Sequence, residues 1–462
     1  MRKKLLLVNP VNDRDLSLST VVPIRVPPLG LGCVAALTPP DWDVRIVDEN
    51  IEEPSLEDAD LVGITAFTSN APRAYEVAAQ QRAKGATTVM GGVHASMLPD
   101  EAIEFVDSVV MGEAESAWPQ VLSDFESKSL KRLYRGRNVS LDNHVRHRAG
   151  LFRSEKYRVK SFVETARGCP MDCEFCSVTA LHGRTYRQRP VDDVLEELEG
   201  TRSREVLFVD DNILGYGREA EERAARLFQG MIDRGLDKRW ACQVGIDFAN
   251  RAEVMTLARK AGCMAVFIGF ESLNEESLQS MHKVRNLKVG IGKYTEVIDR
   301  IRCQGILVSG AFVFGNDGDR EDVFEKTTEF ILRSGMDGVQ LSILTPLPGT
   351  RLYARLRDEG RLLRTRYPGD WRHYGFTEAV FRPKHMTTAQ LEEGVTRVYK
   401  DVSSIGRSLG RAIGSAVRRR SLYAGTSLYL YNRGYRSFWL NNYRHKSRTA
   451  ALSAERSFQP LT

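Results

Sequence analysis

Nowhere in the 462 residues does an apolar run approach the roughly 18 residues that a bilayer-crossing helix needs. Cysteine is scarce as well. There are seven, an odd number, and four of them (Cys33, Cys242, Cys263 and Cys303) are scattered. That argues against a secreted disulfide framework and for a reducing, cytoplasmic setting. The start, MRKKLLLVNP, lacks a secretory signal core, because its apolar run stops at Asn9-Pro10; it reads as a buried strand. Low-complexity tracts are missing too, and so is a charge excess over most of the chain. Of the net +6, residues 401–462, with eleven Lys/Arg against two Asp/Glu, carry +9 and the remainder carries −3.

A chain of this length divides into two or three domains. Within residues 1–125 the apolar runs KKLLLVN, DVRIVDE, ADLVGITAF, TTVMGGV and DSVVMGE alternate with amphipathic stretches such as NAPRAYEVAAQQRAKG. Near-continuous apolar strands separated by helices predict an α/β, doubly wound, Rossmann-like sheet. Its ligand would sit at the carboxyl ends of the strands, where Gly91-Gly92 and Gly112 fall. Residues 126–157 are polar and Arg-rich without a period and read as a linker. Residues 158–365 resume the alternation with SFVETAR, EVLFVDD, RWACQVG, MAVFIGF, GILVSGAFVFG and GVQLSILT. Six such units predict a partial (β/α)6 TIM-type barrel with its chemistry at the C-terminal strand ends. Residues 366–462 lose the alternation and read as a basic, mainly helical C-terminal cap.

Directly after the first barrel strand stands TARGCPMDCEFCSVTALHGR, with Cys169, Cys173 and Cys176 spaced C-x3-C-x2-C. Clustered thiolates bind soft metals. A structural zinc site is closed by four ligands, yet only one triplet is present, and His182 lies six residues beyond it. A redox pair formed by Cys173 and Cys176 would leave Cys169 without a role. An iron–sulfur cubane held by three thiolates leaves one iron open to an outside ligand, which at the mouth of a barrel indicates a catalytic cluster.

The triplet after the first strand of a partial barrel, with aromatic Phe175 before the last cysteine, resembles the signature of the radical S-adenosylmethionine (SAM) superfamily. GGVHASMLPDE, VVMGEAE, RQRPVDDVLEEL, FVDDN, FIGFES and TPLPGT look like its subgroup with an N-terminal cobalamin(B12)-binding-type domain. The resemblance implies a [4Fe–4S] cluster on Cys169, Cys173 and Cys176 whose free iron chelates SAM. Reductive cleavage of SAM would then yield a 5′-deoxyadenosyl radical. It also implies a small-molecule substrate and an electron donor such as flavodoxin or ferredoxin. In that frame Phe175, Asp210, Gln243, Glu271, Ser272 and Gly315, at or beside the strand ends, are expected to meet SAM. Asp210 and Asp211 could instead cap the following helix, a role Asn212 would serve equally well.

For the first domain two ligands compete. GLGCVA, Gly30 to Ala35, matches the dinucleotide pattern G-x-G-x-x-A, with Asp48 onward, and so suggests a nicotinamide-dependent oxidoreductase. That fingerprint should sit in the turn after the first strand, which ends some twenty residues earlier. The resemblance proposes cobalamin instead, although the D-x-H-x-x-G motif that supplies a histidine to cobalt is absent. The charges Asp13, Arg14 and Asp15 of the first loop could face a polar substrate.

Two fates of the substrate radical fit the resemblance. Tyr216, between two glycines just past Asp210 and Asp211, could relay protons with Asp211 to a departing hydroxyl. That favours dehydration of a vicinal diol in a sugar or polyol natural product, as in the aminoglycoside radical dehydratases. The alternative is C-methylation that depends on cobalamin. The tail, SLYLYNRGYRSFWLNNYR, mixes aromatics and arginines. It is expected to cap the barrel with its aromatics while its arginines face water; peripheral membrane contact is the alternative, and no nucleic acid is expected.

Overall fold

The computed structural model describes residues 2–12, 26–52, 56–157, 159–419 and 421–456, without the side chains of Ser154 and 443–456. Asp13, Arg14 and Asp15 lie outside the described residues. Strands β1 (Lys4–Asn9), β2 (Asp43–Asp48), β3 (Leu61–Thr65), β4 (Thr87–Gly91), β5 (Ser108–Met111) and β6 (Leu133–Arg135) form one parallel sheet, ordered β2-β1-β3-β4-β5-β6. The apolar run of β1 is continuous because both of its faces are covered. Leu5 and Leu7 pack with α1 (Leu29–Leu37), and Leu6 and Val8 with α2 (Ala71–Ala83). Helix α3 (Val93–Met97) joins the α2 face, and α4 (Trp118–Glu126) the α1 face.

Two expectations change here. Strand β6 carries the sheet past residue 125 into the stretch read as a linker. Three residues show no period, and of these only Tyr134 is buried, its hydroxyl donating to Asp124 Oδ2 at 2.8 Å. GLGCVA lies inside α1 rather than in a strand-to-helix turn. A Cβ on Gly32 would come within 2.8 Å of the Phe152 ring, so this glycine admits a packing segment, not a pyrophosphate. Asp48 is also engaged, accepting from Asn9 Nδ2 at 2.9 Å and from the buried Tyr157 hydroxyl at 2.8 Å. The dinucleotide reading has no site here.

The second sheet contains β7 (Phe162–Val163), β10 (Glu205–Phe208), β11 (Arg239–Gln243), β12 (Cys263–Glu271), β13 (Leu307–Phe314) and β14 (Gly338–Ile343). All are parallel, in the order β14-β13-β12-β11-β10-β7, as a six-stranded partial barrel requires. A separate antiparallel pair, β8 (Ala166–Arg167) with β9 (Arg187–Gln188), brackets the cysteine segment and its following helix α5 (Ser177–His182). Outer helices include α6 (Val191–Gly200), α7 (Arg218–Asp233), α8 (Ala252–Lys260), α9 (Tyr294–Cys303) and α10 (Asp322–Arg333). On β13 burial alternates strictly: Val308, Gly310, Phe312 and Phe314 face the helices, whereas Ala311 and Val313 line a hollow lumen.

After α11 (Arg351–Asp358) come α12 (Thr388–Val402), α13 (Ile405–Arg419) and α14 (Leu422–Arg456). With six strands, β14 is an edge whose backbone needs partners. The Tyr399 hydroxyl of α12 accepts from Leu341 N at 2.8 Å and donates to Leu341 O at 3.0 Å, while Ile343 N donates to Phe376 O at 2.8 Å. Tyr431 and Tyr435 of α14 turn inward as expected of a cap, meeting Ser309 at 2.7 Å and Gln340 at 2.9 Å. Not all the arginines face water, however. Arg419 donates to Met264 O at 2.6 Å, and Arg418 pairs with Asp337 at 3.1 Å.

The two sheets are joined through their working ends. Helix α3 packs against α5, which follows the third cysteine. A Cβ on Gly349, in TPLPGT, would collide with Met97 of α3. Trp371 Nε1 donates to Glu101 Oε1 at 2.9 Å, and Asn12 Nδ2 donates to Arg372 O at 3.1 Å.

Candidate active site

The cysteine segment is fixed before it begins. Asp210, at the end of β10, accepts from Thr165 N at 2.9 Å and from Ala166 N, so the strand leading to Cys169 is tied to its neighbour. Burial, with the charge of Glu164, pushes the Asp210 carboxyl up to about 7. Gly168 has φ +88°, and a Cβ there would stand 2.6 Å from Thr185 O, so only glycine makes this turn. Farther on, Glu174 N donates to Met281 O at 3.1 Å, and its carboxylate takes a two-pronged bond from Arg355 at 2.7 and 3.1 Å. Arg351 holds Asp172 at 3.0 Å. Phe175 packs against the apolar cluster of Leu344, Leu352 and Trp371.

Cys169, Cys173 and Cys176 all border one cavity of about 410 Å³ in the barrel lumen. Among the described residues no three His, Cys, Asp or Glu side chains converge on the position of one metal ion. Zinc requires ligands within about 2.3 Å of one point; a cubane gives each thiolate its own iron, and three thiols bordering one cavity are the donor set such a cluster takes. Burial raises the Cys169 thiol, and raises that of Cys173 to about 11, so cluster loading must displace protons.

Asp211, Gln243 and Glu271 face the same cavity. Burial raises the Asp211 carboxyl against the charge of His182. Glu271 ends β12 at a register shift and has φ +65°, a strained value for a residue with a side chain. Asn286 Nδ2 bonds the Gly269 and Phe270 carbonyls at 3.0 Å each, and Lys283 Nζ meets Glu271 Oε1 at 2.8 Å. Burial acts to lower the Lys283 ammonium, but Glu271, together with Cys173 and Cys176, outweighs it and holds it above its ordinary value.

Four expected site residues lie outside this cavity. Asp210 is turned to the Thr165 and Ala166 amides. The Ser272 hydroxyl accepts from Asn274 N at 3.1 Å, opening the next helix. The Gly315 amide donates to buried Asp319 at 2.9 Å, in a turn behind the strand end. Tyr216 is 61% exposed and lines an outer groove of about 790 Å³, its ring covered by the Arg285 guanidinium at 4.7 Å. The glycines beside it turn the phenol outward, so it does not join Asp211. Conversely, Lys283, Gln340, Ser342, Tyr435 and Trp439 line the cavity without having been anticipated. Alternation along GVQLSI marked Gln340 and Ser342; Lys283 carried no signal.

The first domain reaches this site through Glu113 of VVMGEAE. Its carboxylate takes Arg187 Nη1 at 2.9 Å and Val139 N at 2.9 Å, with Arg167 at 3.2 Å and His182 at 3.3 Å. Burial acts to raise this carboxyl, but the bonds from His182 and Arg187 outweigh it and hold it well below the usual range. Nearby, the carboxyl end of the first sheet carries Gly91-Gly92 and the exposed ring of Phe67.

Residues 18–122 match the B12 binding domain and residues 163–331 the Radical SAM superfamily. Over 415 residues the chain is 31% identical to bacteriochlorophyllide d C-12(1)-methyltransferase of Chlorobaculum tepidum, covering 87% of each. It is 29% identical over 354 residues to hopanoid C-2 methylase of Rhodopseudomonas palustris, covering 73% of this chain and 66% of that one. The fold is shared with OxsB, solved with aqua-cobalamin and SAM (TM-score 0.68, 14% identity, 89% and 68% covered). It is also shared with TsrM from Kitasatospora setae, solved with cobalamin and a [4Fe–4S] cluster (TM-score 0.62, 16% identity, 80% and 77% covered). The chain belongs to the radical SAM superfamily, in the group that carries an N-terminal B12-binding domain. It is a radical SAM enzyme, using SAM and a [4Fe–4S] cluster.

Proposed function

We infer that this enzyme is a cobalamin-dependent C-methyltransferase acting on an unactivated carbon of a small polycyclic molecule. The observation that carries the reading is the packing of α3, at the carboxyl end of the first sheet, on α5, the helix after Cys176. A cofactor held on the rim of Gly91-Gly92 and Phe67 would then adjoin the cavity of the thiols. Two relatives are named for methylation at a carbon, bacteriochlorophyllide d C-12(1)-methyltransferase and hopanoid C-2 methylase.

When bound, the cluster and SAM supply a 5′-deoxyadenosyl radical for hydrogen abstraction, and cobalamin supplies the methyl group. Cys169, Cys173 and Cys176 would ligate the cluster. Gln243, Asp211 and the Glu271–Lys283 pair would orient the polar end of SAM with charge-assisted bonds. Tyr435 and Trp439 close the lumen from the side of α14 and keep water from a reactive centre. A flavodoxin- or ferredoxin-type donor supplies electrons. The dehydration reading leaned on Tyr216 as a proton relay beside Asp211, but Tyr216 lines the outer groove and Asp211 the cavity, and the named relatives favour methylation.

The test is anaerobic reconstitution with iron, sulfide and hydroxocobalamin, followed by turnover with methyl-deuterated SAM and polycyclic candidates. Labelled methyl in the product, together with 5′-deoxyadenosine, is expected. A dehydrated, unlabelled product, or tight binding of no cobalamin, overturns the reading. Cys169→Ala should abolish the charge-transfer absorbance of the cluster.

A further inference from the structure

Helix α13 is turned inside out. Residues four apart share a helix face, and Ile405, Leu409, Ile413 and Val417 form one ridge along it. All four are between 49% and 70% exposed, whereas Ser408, Ala412 and Ser415 form the buried face. The ridge continues onto Leu422 at the start of α14, 84% exposed. Seven of the fourteen exposed large hydrophobics among the described residues fall between 405 and 430. An apolar patch of this density marks a surface that something covers.

The charge around the ridge identifies what covers it. Residues 402–454 hold ten Lys/Arg and no Asp/Glu. Arg407 and Arg418 lie exposed beside the ridge, separated from it by Gly410 and Gly414, which leave the surface low between them, while Arg411 turns inward to donate to Val402 O at 2.6 Å. Arg418 and Arg419 also fasten the helix to the barrel through Asp337 and Met264 O, so α13 is presented on a rigid base. A second copy of the chain would set this basic strip against itself with no acid to answer it. A nucleic acid would answer the arginines but leave four aliphatic side chains in water. A bilayer with anionic headgroups satisfies both, taking the ridge into its acyl boundary and the arginines among its phosphates.

We propose that α13 docks the enzyme on an anionic membrane surface, lying in the plane of the bilayer without crossing it. Among the described residues no helix is long and apolar enough to span. Docking is independent of the methylation reading, since it uses no residue of the cavity.

The test uses the full, cluster-loaded chain in vesicle flotation. Wild type should float with phosphatidylcholine vesicles containing about one-third phosphatidylglycerol, and at least about tenfold less with phosphatidylcholine alone. Leu409→Asp combined with Ile413→Asp should lose flotation at least about tenfold with an unchanged melting temperature, and Arg407→Gln should weaken it at low salt. Flotation undiminished in the double variant overturns the proposal, as does no flotation of wild type. A dimer that the double variant dissociates, without vesicle binding, assigns the ridge to a second copy and overturns it too. RNA binding without vesicle binding has the same effect.

Discussion

Lys283 Nζ lies 2.8 Å from Glu271 Oε1, and both side chains border the cavity that the three thiols share. The glutamate reaches this position only because its backbone is left-handed and Gly269 leaves room for its carboxylate to fold back. Removing the lysine strands a buried charge, at a cost of about 3 kcal/mol. Lys283→Met is therefore expected to cut 5′-deoxyadenosine formation at least about tenfold, with cluster absorbance retained. Lys283→Arg, which keeps the charge, should recover part of that loss.

Glu113 ties the first domain to the helix after the cysteines, and its carboxyl is held below its ordinary value of 4.5. A group depressed on folding adds stability above the unfolded value and loses it as pH falls through the folded one. Glu113→Gln should destabilise by about 3 kcal/mol at neutral pH. The gap to wild type should narrow progressively below pH 4.5, as followed by denaturant titrations.

Trp371 stacks on Tyr367 with ring centroids 3.7 Å apart and donates to Glu101. Trp371→Ala removes both contacts and opens a hole between the sheets, costing about 3 to 5 kcal/mol. Faster proteolysis of the segment joining the sheets should accompany the lower melting temperature.

Tyr399→Phe deletes one oxygen yet leaves the Leu341 N–H and C=O of an edge strand without partners. A loss of about 1 to 3 kcal/mol is expected, and light scattering on heating should show earlier aggregation, since an uncovered edge recruits other strands.

The near-continuous apolar runs revealed both parallel sheets because two-face burial leaves that pattern wherever it occurs. β6 escaped notice because Leu133–Arg135 is too short for any period. The three thiols were legible from spacing, and Asp211, Gln243 and Glu271 from their positions at strand ends. Asp210 and Ser272 share those positions, but their side chains satisfy nearby amides instead, a choice made by tertiary geometry. Tyr216 was misread because glycines free a loop without fixing its direction. Lys283 could not be anticipated, since its partner is twelve residues away across a bulge that no pattern announces. The arginines of the tail were expected in water; Arg418 and Arg419 instead fasten α13 to the barrel, and the aliphatic ridge along that helix is exposed.

Residues 361–381 belong to neither sheet, yet Trp371 holds Glu101, the Arg372 carbonyl takes Asn12, and the Phe376 carbonyl takes Ile343. This short stretch acts as a spacer between two rims and also lends Gly375, Phe376 and Thr377 to the lining of the cavity. An insertion or deletion there would alter the gap between the rims while leaving the thiols and the glycine turns untouched. Relatives sharing both halves could thus accept substrates of different girth by changing the length of one surface segment, with the chemistry inherited whole.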